Sequence, residues 1–351
     1  MKVTLWRDDA ALDQPVTAAA QRHEVRSRLF LALDHDGVRG FGEVAPQPFA
    51  LNGDPSFDEV LDEVRSFVVP NFEAACAREG AMPSWTRVAR FAGPRAASRV
   101  ALALMEMAVL DRELREDVRK AVELWPPRLS TPSQATVSAL EPGPAWNLNA
   151  QVARVRVKTA PGPLSDEVLT RLEALAMPVL LDFNCSARSI ADVLDQVASV
   201  RHVATVAAVE QPFAAGNIVD HAALAQRTDV SVSLDEGVRS SRDLDQIVRY
   251  GAASMVCVKP PRVGGLANAR TMIERARDLG LTVYLGGFFE SGFARAVHRT
   301  LAENCVNEPS DLAEVKRSSA GLVETQDAQW GFEVAPSAAL LEAATELSAS
   351  A

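Results

Sequence analysis

Between residues 135 and 287 the chain repeats one pattern seven times: ATVSAL (135–140), ARVRVKT (153–159), MPVLLDF (177–183), VAAVEQP (206–212), VSVSLDE (230–236), SMVCVKP (254–260) and LTVYLGG (281–287). Each run is short, apolar and closed by a polar or glycine-containing turn, as buried strands are. Between them lie amphipathic stretches of helical period, such as IADVLDQVASV (190–200), SRDLDQIVRY (241–250) and LANARTMIERARDLG (266–280). Strands alternating with single helices imply right-handed βαβ units and a parallel sheet. Seven or eight such units over roughly 200 residues suit a (β/α)8-type barrel better than an open doubly wound sheet. No Gly-x-Gly-x-x-Gly follows an early strand, so a dinucleotide fold has little support.

The first hundred residues read differently. SRLFLALDHDGVRGFGEVAP (27–46) gives two β runs around a turn at His35–Gly37. Pro55–Phe72 has helical spacing, with Val60, Leu61, Val64, Phe67 and Val68 as its apolar positions. A strongly apolar helix is predicted over about Ala96 to Val118. This part is a small α+β domain feeding into a buried helix.

Composition narrows the function. With 48% hydrophobic and 23% charged residues, the chain has ample material for a globular core. A net charge of −10 argues against nucleic acid, whose phosphates need a basic footprint. No apolar run approaches the ~18 to 20 residues of a membrane span. The opening MKVTLWRDDAALDQ lacks a signal-peptide stretch, so a cytoplasmic protein is expected. Cys76, Cys185, Cys257 and Cys305 form no Cys-x-x-Cys pair and read as free thiols; the five histidines show no metal-binding spacing. Of 36 basic residues only five are lysine: Lys2, Lys120, Lys158, Lys259 and Lys316. A lysine in an apolar strand of so arginine-rich a chain points to a task arginine cannot perform, because a desolvated lysine can lose its proton near neutral pH.

The polar residues at the strand ends are regularly spaced. Lys158, Asp182, Glu210, Asp235 and Lys259 follow one another at intervals of 24, 28, 25 and 24 residues, about one βα unit each. In a barrel these C-terminal strand ends face one mouth, where active sites form. Singly, such residues are helix caps or surface charges. Together they present amine, three carboxylates and amine around an arc. Three converging carboxylates repel unless a cation sits among them, and oxygen-only ligation makes Mg2+ the default, with Mn2+ as the alternative. Such an ion can hold a substrate carboxylate and stabilise the dianion formed when the α-proton leaves. A lysine desolvated beside it could have the lowered pKa of a base.

The strings VRVKTA (155–160), LLDFN (180–184), VEQPF (209–213), SLDEG (233–237) and VCVKPPRVGG (256–265) resemble the barrel motifs of the enolase superfamily, in its muconate lactonizing enzyme subgroup. The resemblance spans nearly the whole chain and implies that the N-terminal domain caps the barrel. It divides the chain into a cap (1–105), a barrel (106–325) and a segment returning to the cap (326–351). It matches Asp182, Glu210 and Asp235 to metal ligands and Lys158 and Lys259 to paired acid/base lysines, with Arg156, Asn184 and Glu236 around them. Two departures stand out. The usual Lys-x-Lys reads Arg156-Val157-Lys158, and Asp-Ala-Asn reads Asp182-Phe183-Asn184, which puts a bulky ring near the metal.

The stretch YLGGFFESGFARAVHRTLAENCVNEPSDL (284–312) is most similar to o-succinylbenzoate synthases, enzymes of menaquinone synthesis, and their N-succinylamino acid racemase relatives. It implies a small carboxylate substrate, with Gly286, Gly287, Phe288 and Glu290 as contacts and the amides of Gly286–Phe288 as a carboxylate cradle. A homo-oligomer is the family expectation. Loops near Gln14–His23 and Pro46–Asp54 should close the site, the second offering Phe49, Leu51 and Asn52 to a ring. The reaction expected is water loss begun by Lys158. The alternatives are racemisation with both lysines as bases, a related cycloisomerisation or epimerisation, or a catalytically silent binding barrel.

Overall fold

Asp36 and Gly37, with φ of 52° and 79°, form the two-residue turn that favours a hairpin. Here it joins strands β2 (Gln21–His35) and β3 (Val38–Val44). With β1 (Lys2–Ala18) and the strand Thr345–Leu347 they make an antiparallel sheet, so the end of the chain pairs with its beginning. The computed structural model describes residues 1–18, 21–91, 95, 97–117, 133–138, 152–312, 322–324 and 334–349. The segment Gln14–His23, expected as a loop, is the paired end of the β1–β2 hairpin; its residues 19 and 20 lie outside the described residues.

Helix Ser98–Glu116, buried along nearly its whole length, lies between this sheet and the rest of the molecule; residues 96 and 118 of the expected helix lie outside the described residues. Gly40 and Gly42 of β3 allow the approach: a Cβ there would fall 2.2 Å from Ala108 O and 2.1 Å from Leu104 O. Before that helix in the chain, helix Phe57–Glu63 passes through a π-turn, Val64–Val68, into helix Val69–Glu79. The π-turn shifts the helical phase, so Val60, Val64 and Val68 are buried while Phe67, expected on the same face, is exposed.

Seven parallel strands follow: β4 (Ser133–Ser138), β5 (Val152–Lys158), β6 (Val179–Asp182), β7 (Val206–Glu210), β8 (Ser231–Leu234), β9 (Met255–Val258) and β10 (Thr282–Leu285), each bonded to the next. Residues 139 and 140, expected to end β4, lie outside the described residues. Ser310–Asp311 takes the eighth place. Asp311 bridges Gly286 and donates its N–H to Leu285 O, while Ser310 O accepts from Gln134 N. The ring therefore closes between β10 and β4.

Along β5 the sequence alternates Arg154, Val155, Arg156, Val157, Lys158. The valines join Val168, Leu172, Leu181, Phe183, Val193 and Val209 in a cluster between sheet and helices. The cations point into the barrel. Arg154 reaches Gln134 Oε1 (2.9 Å) on β4 and covers the Tyr284 ring (5.2 Å) on β10, strands at opposite ends of the sheet order. Among the described residues no helix is long and apolar enough to cross a membrane.

Candidate active site

Register puts the strand-end residues side by side. Lys158 pairs with Asp182 across β5–β6, and Asp182 with Glu210 across β6–β7; Asp235 and Lys259 directly follow β8 and β9. All five are buried. Lys158 Nζ donates to Asp182 Oδ2 (2.6 Å) and Asn184 Oδ1 (2.9 Å), and Lys259 Nζ to Asp235 Oδ2 (2.9 Å). The two amines thus flank the carboxylates from strands separated by three others. Lys259 also lies 4.6 Å from the Phe288 ring centroid.

Arg156 occupies the middle. Its Nε donates to Glu210 Oε2 (3.0 Å) and its Nη1 to Asp311 Oδ2 (2.7 Å). Its Nη2 lies against Asp182 Oδ2 (2.6 Å) and Glu210 Oε1, and 3.7 Å from Asp235 Oδ2. Expected around the ligands and lysines, Arg156 bridges the three carboxylates. The reason is geometric: position 156 is two residues before Lys158 on the same inward face, one layer deeper, and the long guanidinium spans the gap.

Further partners saturate the cluster. Tyr284 OH donates to Glu210 Oε2 (2.6 Å), and Arg262 Nη1 to Asp235 Oδ1. Arg262 also grips Asp54 of the N-terminal part through Nε (2.8 Å) and Nη2 (2.6 Å). Burial alone would raise the Asp235 carboxyl, but Arg262, Lys259 and Arg156 outweigh it and hold it well below the usual range. For Glu210 burial wins over Arg156 and pushes the carboxyl up to about 7. Burial would lower Lys259, yet Asp235 holds it above the usual lysine range, opposite to the lowered value expected of a base.

The network tests whether a cation fits. Asp54, Asp182, Glu210, Asp235, Glu236 and Asp311 are six carboxylates against the five cations Arg156, Lys158, Arg239, Lys259 and Arg262, a surplus of one negative charge if all ionise. Glu236 accepts from Asn184 Nδ2 (3.3 Å), but its Oε2 is buried without a partner, and burial and Asp235 push its pKa up. A divalent cation suits both features. Glu210, Asp235 and Cys257 Sγ lie within 4.8 Å of one another. Burial and the neighbouring carboxylates push the Cys257 thiol up, so the two carboxylates are the ligands a hard ion would use.

The loop after β10 departs from expectation. Gly286 N donates to Val258 O (3.2 Å) and Phe288 N to Glu290 Oε2 (2.7 Å). A Cβ on Gly287 would come 2.6 Å from the same Glu290 oxygen. Of the amides expected to cradle a substrate carboxylate, that of Gly286 is taken by a backbone carbonyl and that of Phe288 by the chain's own carboxylate. Phe183, expected near the metal, sits in the outer apolar cluster, because as the residue after Asp182 it points to the opposite face. Phe49 is 49% exposed, while Asn52 Nδ2 reaches Asn184 O (3.4 Å) and Arg239 donates to Asn52 O (2.5 Å) and Gly53 O (2.8 Å). Sequence reasoning gave no role to Arg262, Asp54, Tyr284 and Asp311, although Arg262, Tyr284 and Asp311 lie inside the strings that carry the resemblance and Asp54 ends a loop expected to close the site.

Residues 148–334 match the enolase C-terminal domain-like family. An o-succinylbenzoate synthase of Enterococcus faecalis is 28% identical over 86% of this chain and 83% of its own, and an N-succinylamino acid racemase of an Amycolatopsis species 29% identical over 86% and 82%. In fold, the chain is similar to the solved 2-chloromuconate cycloisomerase of Rhodococcus opacus, with a TM-score of 0.78 over 98% of both chains at 19% identity. The chain belongs to the enolase superfamily.

Proposed function

We propose that the protein removes the proton α to a substrate carboxylate and expels water from the adjacent carbon, the reaction of an o-succinylbenzoate synthase, with Lys158 and Lys259 as catalytic residues. One observation carries this reading: two buried amines flank the carboxylate cluster, Lys158 on Asp182 and Lys259 on Asp235. Two of the similar relatives bearing that name cover most of this chain. Asp182, Glu210 and Asp235 would hold Mg2+, or Mn2+ in its place, and Arg156 Nη2 would yield its place among them. The ion, when bound, supplies positive charge that stabilises the developing dianion.

Lys158, positioned by Asp182 and by Asn184 Oδ1, takes the α-proton in its neutral form. Lys259, with Asp235 as acceptor and the Phe288 face beside it, keeps its proton and holds the enolate by charge. The proton on Lys158 then leaves with the substrate hydroxyl as water, so no other acid is required. Asp54 and Asn52 of the cap, held by Arg262 and to Asn184, keep bulk water away.

A second reading, proton exchange on both faces of an N-succinylamino acid, draws support from the matched placement of the lysines, each donating to one carboxylate. Incubation with Mg2+ in deuterated buffer separates the two. Water loss from the synthase substrate, reduced roughly 10^2 to 10^4-fold in Lys158→Ala and Lys259→Ala with melting temperature retained, supports the first. Deuterium entering the α-position of both enantiomers of an N-succinylamino acid, without water loss, supports the second. Failure of both, with no change in melting on adding Mg2+ or EDTA, would leave a binding barrel.

A further inference from the structure

Gln211 directly follows Glu210 at the end of β7, is fully buried and has a φ of 38°. A left-handed value is uncommon for a residue with a side chain, the more so before a proline, here Pro212. Such a conformation persists only where its surroundings fix it, and it gathers at functional sites.

Every hydrogen-bonding group of Gln211 is engaged, and together they reach the ends of all three carboxylate strands. Its N–H donates to Ser233 O (2.9 Å), two residues before Asp235. Its C=O accepts from Cys185 N (2.8 Å) in the turn after Asp182, where Asn184 and Cys185 are left-handed as well, with φ of 43° and 66°. Its Oε1 accepts from Asp235 N (2.9 Å) and Gly237 N (3.0 Å), so one oxygen holds both ends of the turn that carries Asp235 and Glu236. Its Nε2 donates to Phe213 O (3.0 Å) and lies 3.5 Å from His221 Nε2. His221 Nδ1 faces Asn217 O at 2.7 Å, an atom that can only accept, so Nδ1 carries the proton and Nε2 offers its lone pair to Phe213 N (3.4 Å) and to the amide. These partners leave the Gln211 amide a single orientation. None of the bonds goes to a carboxyl group. They fix the backbone that carries Asp182, Glu210 and Asp235, and a metal site tolerates ligand displacements of only about 0.2 Å.

We propose that Gln211 is a positioning residue that sets the spacing of Asp182, Glu210 and Asp235 for a divalent cation. This rests on the ligand assignment proposed above and adds a residue that acts on the ion only through the backbone.

The probe is Mn2+ alone, with the free ion counted by electron paramagnetic resonance, on the full chain cleared of metal with EDTA. Gln211→Met keeps the length of the side chain and removes its acceptor and donors. Gly42→Ala, which loosens the framework elsewhere, shows what a loss of stability does by itself. With a native melt confirmed for each variant in EDTA, Gln211→Met should bind Mn2+ roughly 10- to 100-fold more weakly than wild type, the usual cost of removing a group that orients ligands, and the spectrum of the bound ion should change. Gly42→Ala should bind as wild type does. Equal affinity in wild type and Gln211→Met sinks the inference alone, as does a loss that Gly42→Ala reproduces. Wild type that binds no Mn2+ sinks the ligand assignment as well. If Gln211→Met does not fold, hydrogen exchange on metal-free wild type decides. The amides of Asp235 and Gly237 should then exchange as slowly as those of β8, and exchange as fast as in the exposed loops refutes the hold of Gln211 on them.

Discussion

Replacing Arg156 with methionine tests the centre of the cluster. The change removes the donors to Glu210 and Asp311, together with the Nη2 that lies against Asp182 and Glu210, and leaves three buried carboxylates without their shared cation. Breaking a buried pair from one side costs about 3–5 kcal/mol. An unfolding entropy of ~2.1 cal/mol/K per residue gives ~0.7 kcal/mol/K for this chain, so melting in EDTA should fall by about 4–7 °C. Glu210, already pushed up to about 7, loses a stabilising neighbour and rises further. A carboxyl whose folded pKa lies above its unfolded value loses stability as pH rises, so the deficit should grow above pH ~7. The variant has one more net negative charge and no competing Nη2, so Mg2+ should bind at least roughly tenfold more tightly. At a hundred times its Kd the ion returns about 2.7 kcal/mol, or roughly 4 °C. Scanning calorimetry against pH and Mg2+ measures all three effects. A melt within about 1 °C of wild type in EDTA, or an unchanged Mg2+ affinity, would show that Arg156 does not bridge the carboxylates.

Two further substitutions test the framework. Glu106, pushed up to about 8 by burial although it accepts the N–H groups of Leu266 and Ala267, holds its proton in the folded protein when it would have lost it unfolded. It therefore costs stability as pH rises from about 4.5 to about 8; in urea melts, Glu106→Gln should gain on wild type by at most ~1.4 kcal/mol per pH unit in that window, and a constant difference refutes this. Gly42→Ala would drive a Cβ against Leu104 O and should lower stability by roughly 1–3 kcal/mol, whereas an unchanged urea midpoint would mean that the helix can move aside.

The sequence determined the barrel and its chemistry because both are written at short range. Strand length, the period-two alternation of β5 and the Asp36-Gly37 turn depend on neighbours in the chain. The one-unit spacing of Lys158, Asp182, Glu210, Asp235 and Lys259 put them at one mouth once the strands were parallel. Tertiary structure decided what those groups touch. That Arg156 spans to β6 and β7, that Arg262 ties Asp235 to Asp54, 208 residues from it along the chain, and that Glu290 fills its own loop all depend on distances across the closed ring. That His23 and Arg26, an odd number of residues apart, are both buried goes with a register shift in one hairpin, and no local pattern encodes it.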